Sequence, residues 1–210
     1  MSPETNLRAD AERNRRAILC AAATVFGRRG ADAPLDEVAR EAGVGIATLY
    51  RRFPDRTDLI AAVFEAKMTD YADAAEAAAD RAETEPWEAF SDYVHHILQA
   101  QAADPGFSDV LLAPLTGSKA FAAHHRRALV ATTALIERVV SAGVVRADFD
   151  HSDLYLLTLA NGGLNRASGR TRAAASGRLA AYMLEAFRAP GEPLPAPPAP
   201  WQRASRSAPR

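Results

Sequence analysis

The sequence has a single cysteine, Cys20, and no long apolar run. One cysteine excludes an internal disulfide and a cysteine-clustered zinc site. No stretch approaches the roughly 18 apolar residues of a membrane-spanning helix, and the first residues lack the apolar core of a signal peptide. We therefore expect a soluble, cytoplasmic protein with no membrane partner. Cys20 is interpreted as a small packed residue, with a redox-sensing thiol as the alternative.

Lysine is almost absent, and the charges of the chain nearly cancel. Lys67 and Lys119 are the only lysines, and 25 basic residues against 26 acidic ones give a net charge of −1. This balance excludes the global positive field that many nucleic-acid binders display. Any affinity for DNA must then come from local groups of arginines. Two such groups are Arg8/Arg13/Arg15/Arg16 and Arg51/Arg52/Arg56.

The signatures of an enzyme are missing as well. The sequence contains no G-x-S-x-G, Walker or Rossmann glycine pattern. His95–His96 and His124–His125 are adjacent pairs, and adjacent side chains on a helix diverge by about 100°. The two members of a pair therefore cannot face one metal ion. We expect no catalytic site, no metal site and no cofactor.

Helical periodicity recurs along the chain, and no segment shows the alternation of a strand. We predict an all-α protein with roughly nine helices. Residues 1–13 resemble a polar, flexible arm. Residues 190–210 hold seven of the 13 prolines, so we expect a disordered tail there, with a Pro-rich docking ligand as the alternative. The expected helices lie near 14–29, 35–42, 46–52, 55–82, 86–103, 107–112, 119–142, 152–167 and 172–188.

Residues 34–53 have the pattern of a helix, a glycine turn and a second short helix. Val38, Ala39 and Ala42 share one face at helical spacing, and Gly43 follows where a left-handed residue ends a helix. Two helices joined so closely must cross steeply, so the residue at the crossing must be small, as Ala39 is. This pattern is typical of the helix-turn-helix of DNA-binding proteins, whose second helix enters the major groove.

The flanking sequence makes this pattern specific. Upstream, ILCAAATVFGRRG predicts an amphipathic helix that ends at Gly30. Downstream, DEVAREAGVGIATLYRRFPDRTDLI contains a stop at Phe53-Pro54 and a new helix capped by Asp55. On these motifs, residues 14–64, about a quarter of the chain, resemble the DNA-binding domain of the tetracycline-repressor (TetR) family. The resemblance implies a helix-turn-helix domain at 14–54 and a helical ligand-binding and dimerisation domain at 55–189.

The second helix and its flanks supply the predicted DNA contacts. Polar and arginine side chains there suit phosphates and base edges, and in relatives the positions of Thr48, Tyr50 and Arg56 grip the DNA backbone. Gly45, Ile46 and Ala47, at the start of the second helix, offer few polar groups for contacts with bases. Specificity would therefore also use thymine methyl groups and DNA shape. Residues 33–35 replace the Thr or Ser with which relatives often begin helix 2. The predicted DNA-binding residues are Gly45, Ile46, Ala47, Thr48, Tyr50, Arg51, Arg52 and Arg56.

The last two helices predict a dimer interface. Leucines surround nearly the whole circumference of the helix near 152–167, so this helix is buried on more than one side. The resemblance implies that the pair forms a four-helix interface in a homodimer, and a core within one chain is the alternative. The predicted interface residues are Leu154, Leu157, Leu164, Leu179, Tyr182, Met183 and Phe187.

The resemblance also implies an enclosed site for a small-molecule effector within residues 60–165. Aromatic residues and methionines at helical spacing fit ordinary core equally well. The candidate ligand-binding residues are Phe64, Met68, Tyr71, Phe90, Val94, Gln99, Phe107 and Asn161.

These features favour a DNA-binding transcriptional regulator that is not an enzyme. We expect a homodimeric repressor that a small-molecule ligand releases from a palindromic double-stranded DNA operator. An activator of the same fold is the nearest alternative. An all-helical enzyme or a scaffolding protein is the alternative from another functional class.

Overall fold

The computed structural model describes residues 3–112 and 119–196. Within these ranges it is all-helical, apart from an isolated β-bridge between Val145 and Arg188, and this confirms the predicted fold class. A short 3-10 helix, Gly163–Arg166, joins the last two α-helices. The α-helices are α1 (Pro3–Arg29), α2 (Leu35–Glu41), α3 (Ile46–Arg52), α4 (Arg56–Arg81), α5 (Pro86–Ala103), α6 (Pro105–Leu112), α7 (Lys119–Ser141), α8 (His151–Gly162) and α9 (Gly169–Phe187).

The first helix is longer than its apolar pattern predicts. Helix α1 starts at Pro3, whereas the expected helix starts near Asn14 and follows a polar arm. Residues 4–13 contain Glu, Leu, Arg and Ala, which are strong helix formers, and no glycine or proline. The apolar stripe begins only at Ile18, which is fully buried. A search for apolar periodicity therefore misses the polar half of this helix.

The predicted tail at 190–210 begins as an anchored segment, and its residues 197–210 lie outside the described ranges. The nearly buried guanidinium of Arg146 pairs with the Asp148 carboxylate at 2.5 Å. That arginine holds the pKa of Asp148 at about 2, and the carboxylate also accepts the Leu194 amide at 2.7 Å. The start of the tail is thus tied to the connection between α7 and α8.

Contacts divide the chain into two compact units. Unit 1 comprises Met1–Lys67 and Asp104–Ala122, and unit 2 comprises Met68–Ala103 and Ala123–Arg210. This division differs from the predicted boundary between residues 54 and 55. Helix α4 continues from unit 1 into unit 2, and α6 belongs to the same unit as α1–α3 despite its distance in sequence.

Three buried phenylalanines form a cluster in unit 1. The ring of Phe64 lies 6.3 Å from that of Phe26 and 6.2 Å from that of Phe107, measured between centroids. Helix α6 reaches this cluster because it carries Gly106. A Cβ at Gly106 would lie 2.8 Å from the Phe26 carbonyl oxygen, so only glycine permits this approach.

Unit 2 is built on α5, whose buried face packs against α8 and α9. The ring of Phe90 on α5 makes edge contacts with Phe149 at 5.4 Å and Phe187 at 6.3 Å. Helix α8 begins with a capping box, in which Asp150 is the N-cap and the Asp153 side chain accepts the N-cap amide. Among the described residues, no helix is both long and apolar enough to cross a membrane.

Candidate DNA-binding surface

The turn between α2 and α3 closes as the sequence predicts. Gly43 has a φ of 66°, and its amide donates to the Arg40 carbonyl at 3.2 Å. The Val44 amide donates to the Ala39 carbonyl at 3.0 Å, which completes a Schellman motif. A Cβ on Gly43 would meet no atom within 4 Å, so its φ and not its surroundings requires glycine.

Helix α3 buries one side and exposes the other. Leu49 is fully buried, and Phe53, one turn later, is nearly so. Ala47 and Arg51 are four residues apart, so they share the face opposite Leu49. Tyr50 is 49% exposed, which is unusual for a large aromatic residue. The exposed residues from Gly45 to Arg52 are Gly45, Ala47, Tyr50, Arg51 and Arg52, while Ile46 and Thr48 are half-buried.

Arg56, a predicted phosphate contact, has protein partners in this structure. Its Nη1 donates to the carbonyl oxygens of Ala31 at 2.8 Å and Ala33 at 2.9 Å. Both alanines are buried, and they lie in the connection between α1 and α2. Arg56 therefore fixes that connection from the first residue of α4.

Asp109 on α6 holds the same connection, and sequence reasoning missed it. Its Oδ2 accepts the Ala31 amide at 3.0 Å. Desolvation raises the pKa of the Asp109 carboxyl, the bond to Ala31 lowers it, and the charges of Asp32 and Asp104 raise it further. Gly30, with a φ of 85°, leaves room for this carboxylate, since a Cβ there would collide with Oδ2. The two bonded residues are 78 positions apart, so no local spacing rule could have found the contact.

The predicted ligand-binding residues fall in both units. Phe64 and Phe107 belong to the phenylalanine cluster of unit 1. Met68, Phe90 and Val94 are buried in unit 2.

The remaining three candidates differ in exposure. Tyr71, partly buried, stacks on Tyr93 with 6.4 Å between centroids, and burial raises the pKa of both phenols. Gln99 is exposed, whereas Gln101 is fully buried. Asn161, also buried, donates to the Gln101 Oε1 and the Leu98 carbonyl, each at 3.1 Å. The apolar stripe of α5 continues through position 101 and not 99, so its periodicity could have identified Gln101.

An open groove of about 600 Å³ lies between α4 and α7 in unit 2. None of the predicted ligand-binding residues lines it. Its walls are small apolar side chains flanked by charged ones. The lining residues are Glu76, Ala79, Asp80, Ala123, Arg126, Arg127, Val130, Ala131, Ala134 and Arg138.

The predicted dimer residues also divide by exposure. Leu154, Leu157 and Phe187 are at most 4% exposed and belong to the core of unit 2 itself. Leu164, Leu179 and Met183 are half-buried, and Tyr182 is 58% exposed. Tyr182 lies on α9, and the exposed large apolar residues of α8 are Tyr155, Leu156 and Leu159. A dimer interface on α8 and α9 would therefore use these exposed residues and not Leu154, Leu157 and Phe187.

The role of Arg56 is testable by stability. Replacing Arg56 with Ala removes two charge-assisted hydrogen bonds and leaves two buried carbonyl groups without this donor. We expect the free energy of unfolding to fall by about 2 kcal/mol in urea denaturation followed by circular dichroism. Arg51→Ala is the matched control, because an exposed arginine should change stability by less than about 0.5 kcal/mol. Equal stability of Arg56→Ala and the wild type would contradict the assignment.

The comparisons with known proteins agree with this geometry. Residues 18–63 match the model of bacterial regulatory proteins of the tetR family, and residues 85–188 match that of the transcriptional regulator SbtR-like C-terminal domain. No curated protein matches the chain.

Solved structures of bacterial regulators are similar over most of their length. A TetR transcriptional regulator from Streptomyces coelicolor is 32% identical, over 83% of this chain and 98% of that chain, with a TM-score of 0.51. A TetR-family transcriptional regulator from Pectobacterium atrosepticum is 26% identical over 88% and 99% of the two chains, with a TM-score of 0.54. The chain belongs to the TetR family of bacterial regulatory proteins, which are DNA-binding transcriptional regulators and not enzymes.

Proposed function

We propose that the chain is a homodimeric transcriptional repressor that leaves a palindromic operator when a small molecule binds. The observation that carries the proposal is the exposed face of α3, with its aromatic and arginine side chains, in a helix-turn-helix of the TetR family. A dimer would place two such helices about one turn of DNA apart, as a palindromic site requires.

The residues of α3 divide into a reader of bases and contacts to phosphate. Arg51 projects with Ala47 directly away from the buried side of the helix, so it is the candidate for a guanine contact in the major groove. Tyr50 and Thr48 flank that face and suit phosphate oxygens. Gly45, Ile46 and Ala47 contribute apolar contact and close backbone approach. Arg56 acts through the α1–α2 connection and supports α2 and α3 from within the unit.

The proposed dimer forms through α8 and α9. Tyr155, Leu156, Leu159 and Tyr182 are between 37% and 58% exposed, which is a concentration of large apolar surface. Half-buried Leu164, Leu179 and Met183 would complete the interface. An isologous contact of two such helix pairs gives the two-fold symmetry of a palindromic operator.

The proposed effector binds within residues 60–165 and acts through α6. Its candidate contacts are the predicted residues of unit 2, with the buried Gln101 beside Asn161 as a further polar group; these predicted residues are Met68, Tyr71, Phe90, Val94, Gln99 and Asn161. Helix α6 contacts α1 through Gly106, α4 through Phe107 and the α1–α2 connection through Asp109, so a ligand that favours another position of α6 would disturb the helix-turn-helix. The available energy is the difference in the ligand's affinity for the two arrangements.

The DNA-binding proposal predicts two kinds of variant. Arg51→Ala should weaken binding to the DNA beside its own gene by about 1–3 kcal/mol, and binding to a scrambled duplex much less. Tyr50→Phe should weaken both complexes by similar factors, because phosphate contacts carry no sequence information. Arg126→Ala on α7 is the control and should bind like the wild type. Fluorescence anisotropy titrations on both duplexes measure this, and equal losses for Arg51→Ala on the two would exclude base reading.

The dimer proposal is tested by charge insertion on the exposed face. Leu159→Asp with Tyr182→Asp should give a monomer in sedimentation velocity, because carboxylates would be buried unpaired at the interface. Val130→Asp on α7 is matched in kind, since Val130 is 50% exposed outside this face, and it should stay dimeric. A dimer that survives the double substitution would place the interface elsewhere.

A further inference from the structure

The polar half of α1 lies beside the end of the recognition helix. The Nη2 of Arg52, the last residue of α3, is 3.9 Å from the Oε2 of Glu12. The two side chains are 43% and 49% exposed. A DNA phosphate that approaches Arg52 therefore meets a position already occupied by a carboxylate.

Helical geometry brings two more arginines to the side of α1 that carries Glu12. Arg15 and Arg16 follow Glu12 by three and four residues, so they lie one turn away on the same side. Arg16 is exposed and Arg15 half-buried. Neither forms an ion pair with another side chain that the structure describes. Together with Arg52 they make a basic strip interrupted by one acidic residue.

A second acid–base pair on α1 lies on a different side of the helix from Glu12. Asp10 and Arg13 form an ion pair, and both side chains are at least half exposed. Asp10 precedes Glu12 by two residues, which turns it about 200° around the helix. This pair offers the same chemistry away from α3, and so provides an internal control.

We propose that residues 12–16 of α1 form a second DNA-contacting element, in which Arg15 and Arg16 bind phosphates beside the recognition helix and Glu12 stands in for a phosphate at Arg52 in the free protein. This inference rests on the proposed DNA-binding function and extends it to a helix outside the helix-turn-helix. On duplex DNA, a phosphate displaces Glu12 from Arg52, and the displaced carboxylate then lies close to a polyanion. Glu12 thus lowers the affinity for every DNA sequence.

Such an attenuator suits the charge distribution of this protein. Phosphate contacts add to operator and random DNA alike, so excess positive charge would hold a regulator on non-specific sites. A carboxylate beside Arg52 reduces that uniform contribution without touching the base-reading face of α3. The ratio of operator to random affinity therefore stays the same while both affinities fall.

The experiment measures affinity for operator and scrambled duplexes by anisotropy at two salt concentrations. Glu12→Gln should raise the affinity for both duplexes by roughly two- to five-fold at low salt, the scale of an exposed ion pair. Asp10→Asn removes the same charge from the other side of the helix and should have a smaller effect. Arg16→Ala should weaken both complexes and flatten the salt dependence, by about one unit of slope for each phosphate that is no longer neutralised.

A double substitution tests whether Glu12 acts through its ion pair with Arg52. In an Arg52→Ala background, Glu12→Gln should give less than its full gain, because the pair that it releases is already absent. Wild-type affinity in Glu12→Gln, or a gain matched by Asp10→Asn, would overturn the proposal. Unchanged DNA binding by Arg16→Ala would show that Arg16 does not contact a phosphate, which would contradict the proposal. If the wild type failed to prefer its operator, the proposed function would fail, while the scrambled-duplex titrations would still decide this inference.

Discussion

The connection between α1 and α2 is the point on which unit 1 depends. Its alanines are buried, and a buried backbone group without a partner costs about as much as a broken hydrogen bond. Arg56 donates to the Ala31 and Ala33 carbonyls, and Asp109 accepts the Ala31 amide. Two charged side chains from distant parts of the sequence thus fix three backbone groups. The angle at which α2 leaves α1, and with it the position of α3, follows from these bonds.

This arrangement makes α6 a part of the DNA-binding unit. Its glycine allows close approach to α1, its phenylalanine packs against Phe64 in the aromatic cluster, and its aspartate binds the α1–α2 connection. Three kinds of interaction on one eight-residue helix oppose its separate movement. A shift in the position of α6 would therefore shift the start of α2, without a rearrangement of the helix-turn-helix core. In the proposed function, this is how an effector acts on DNA affinity.

The sequence predicts well what depends on local pattern. Gly43 and Ala39 identify the helix-turn-helix, because the turn needs a left-handed residue and the crossing needs a small one. The same reasoning assigns Arg56 to DNA, and it does not reveal that Arg56 also donates to the carbonyl groups of Ala31 and Ala33. Local pattern also does not decide which side of α8 packs against its own chain, because leucines lie around most of its circumference. In the structure, Leu154 and Leu157 are buried in their own chain, whereas Leu156 and Leu159 are exposed. The sequence pattern does not distinguish these two pairs.

The most direct test of this account removes the carboxylate of Asp109 and follows both the connection and DNA binding. In Asp109→Ala, we expect faster hydrogen exchange of the Ala31 amide and weaker operator binding, with the helical content preserved. Asp32→Ala, an exposed acid within the connection itself, should leave both quantities unchanged. Wild-type exchange and wild-type affinity in Asp109→Ala would contradict the claim that α6 holds the DNA-binding unit in shape.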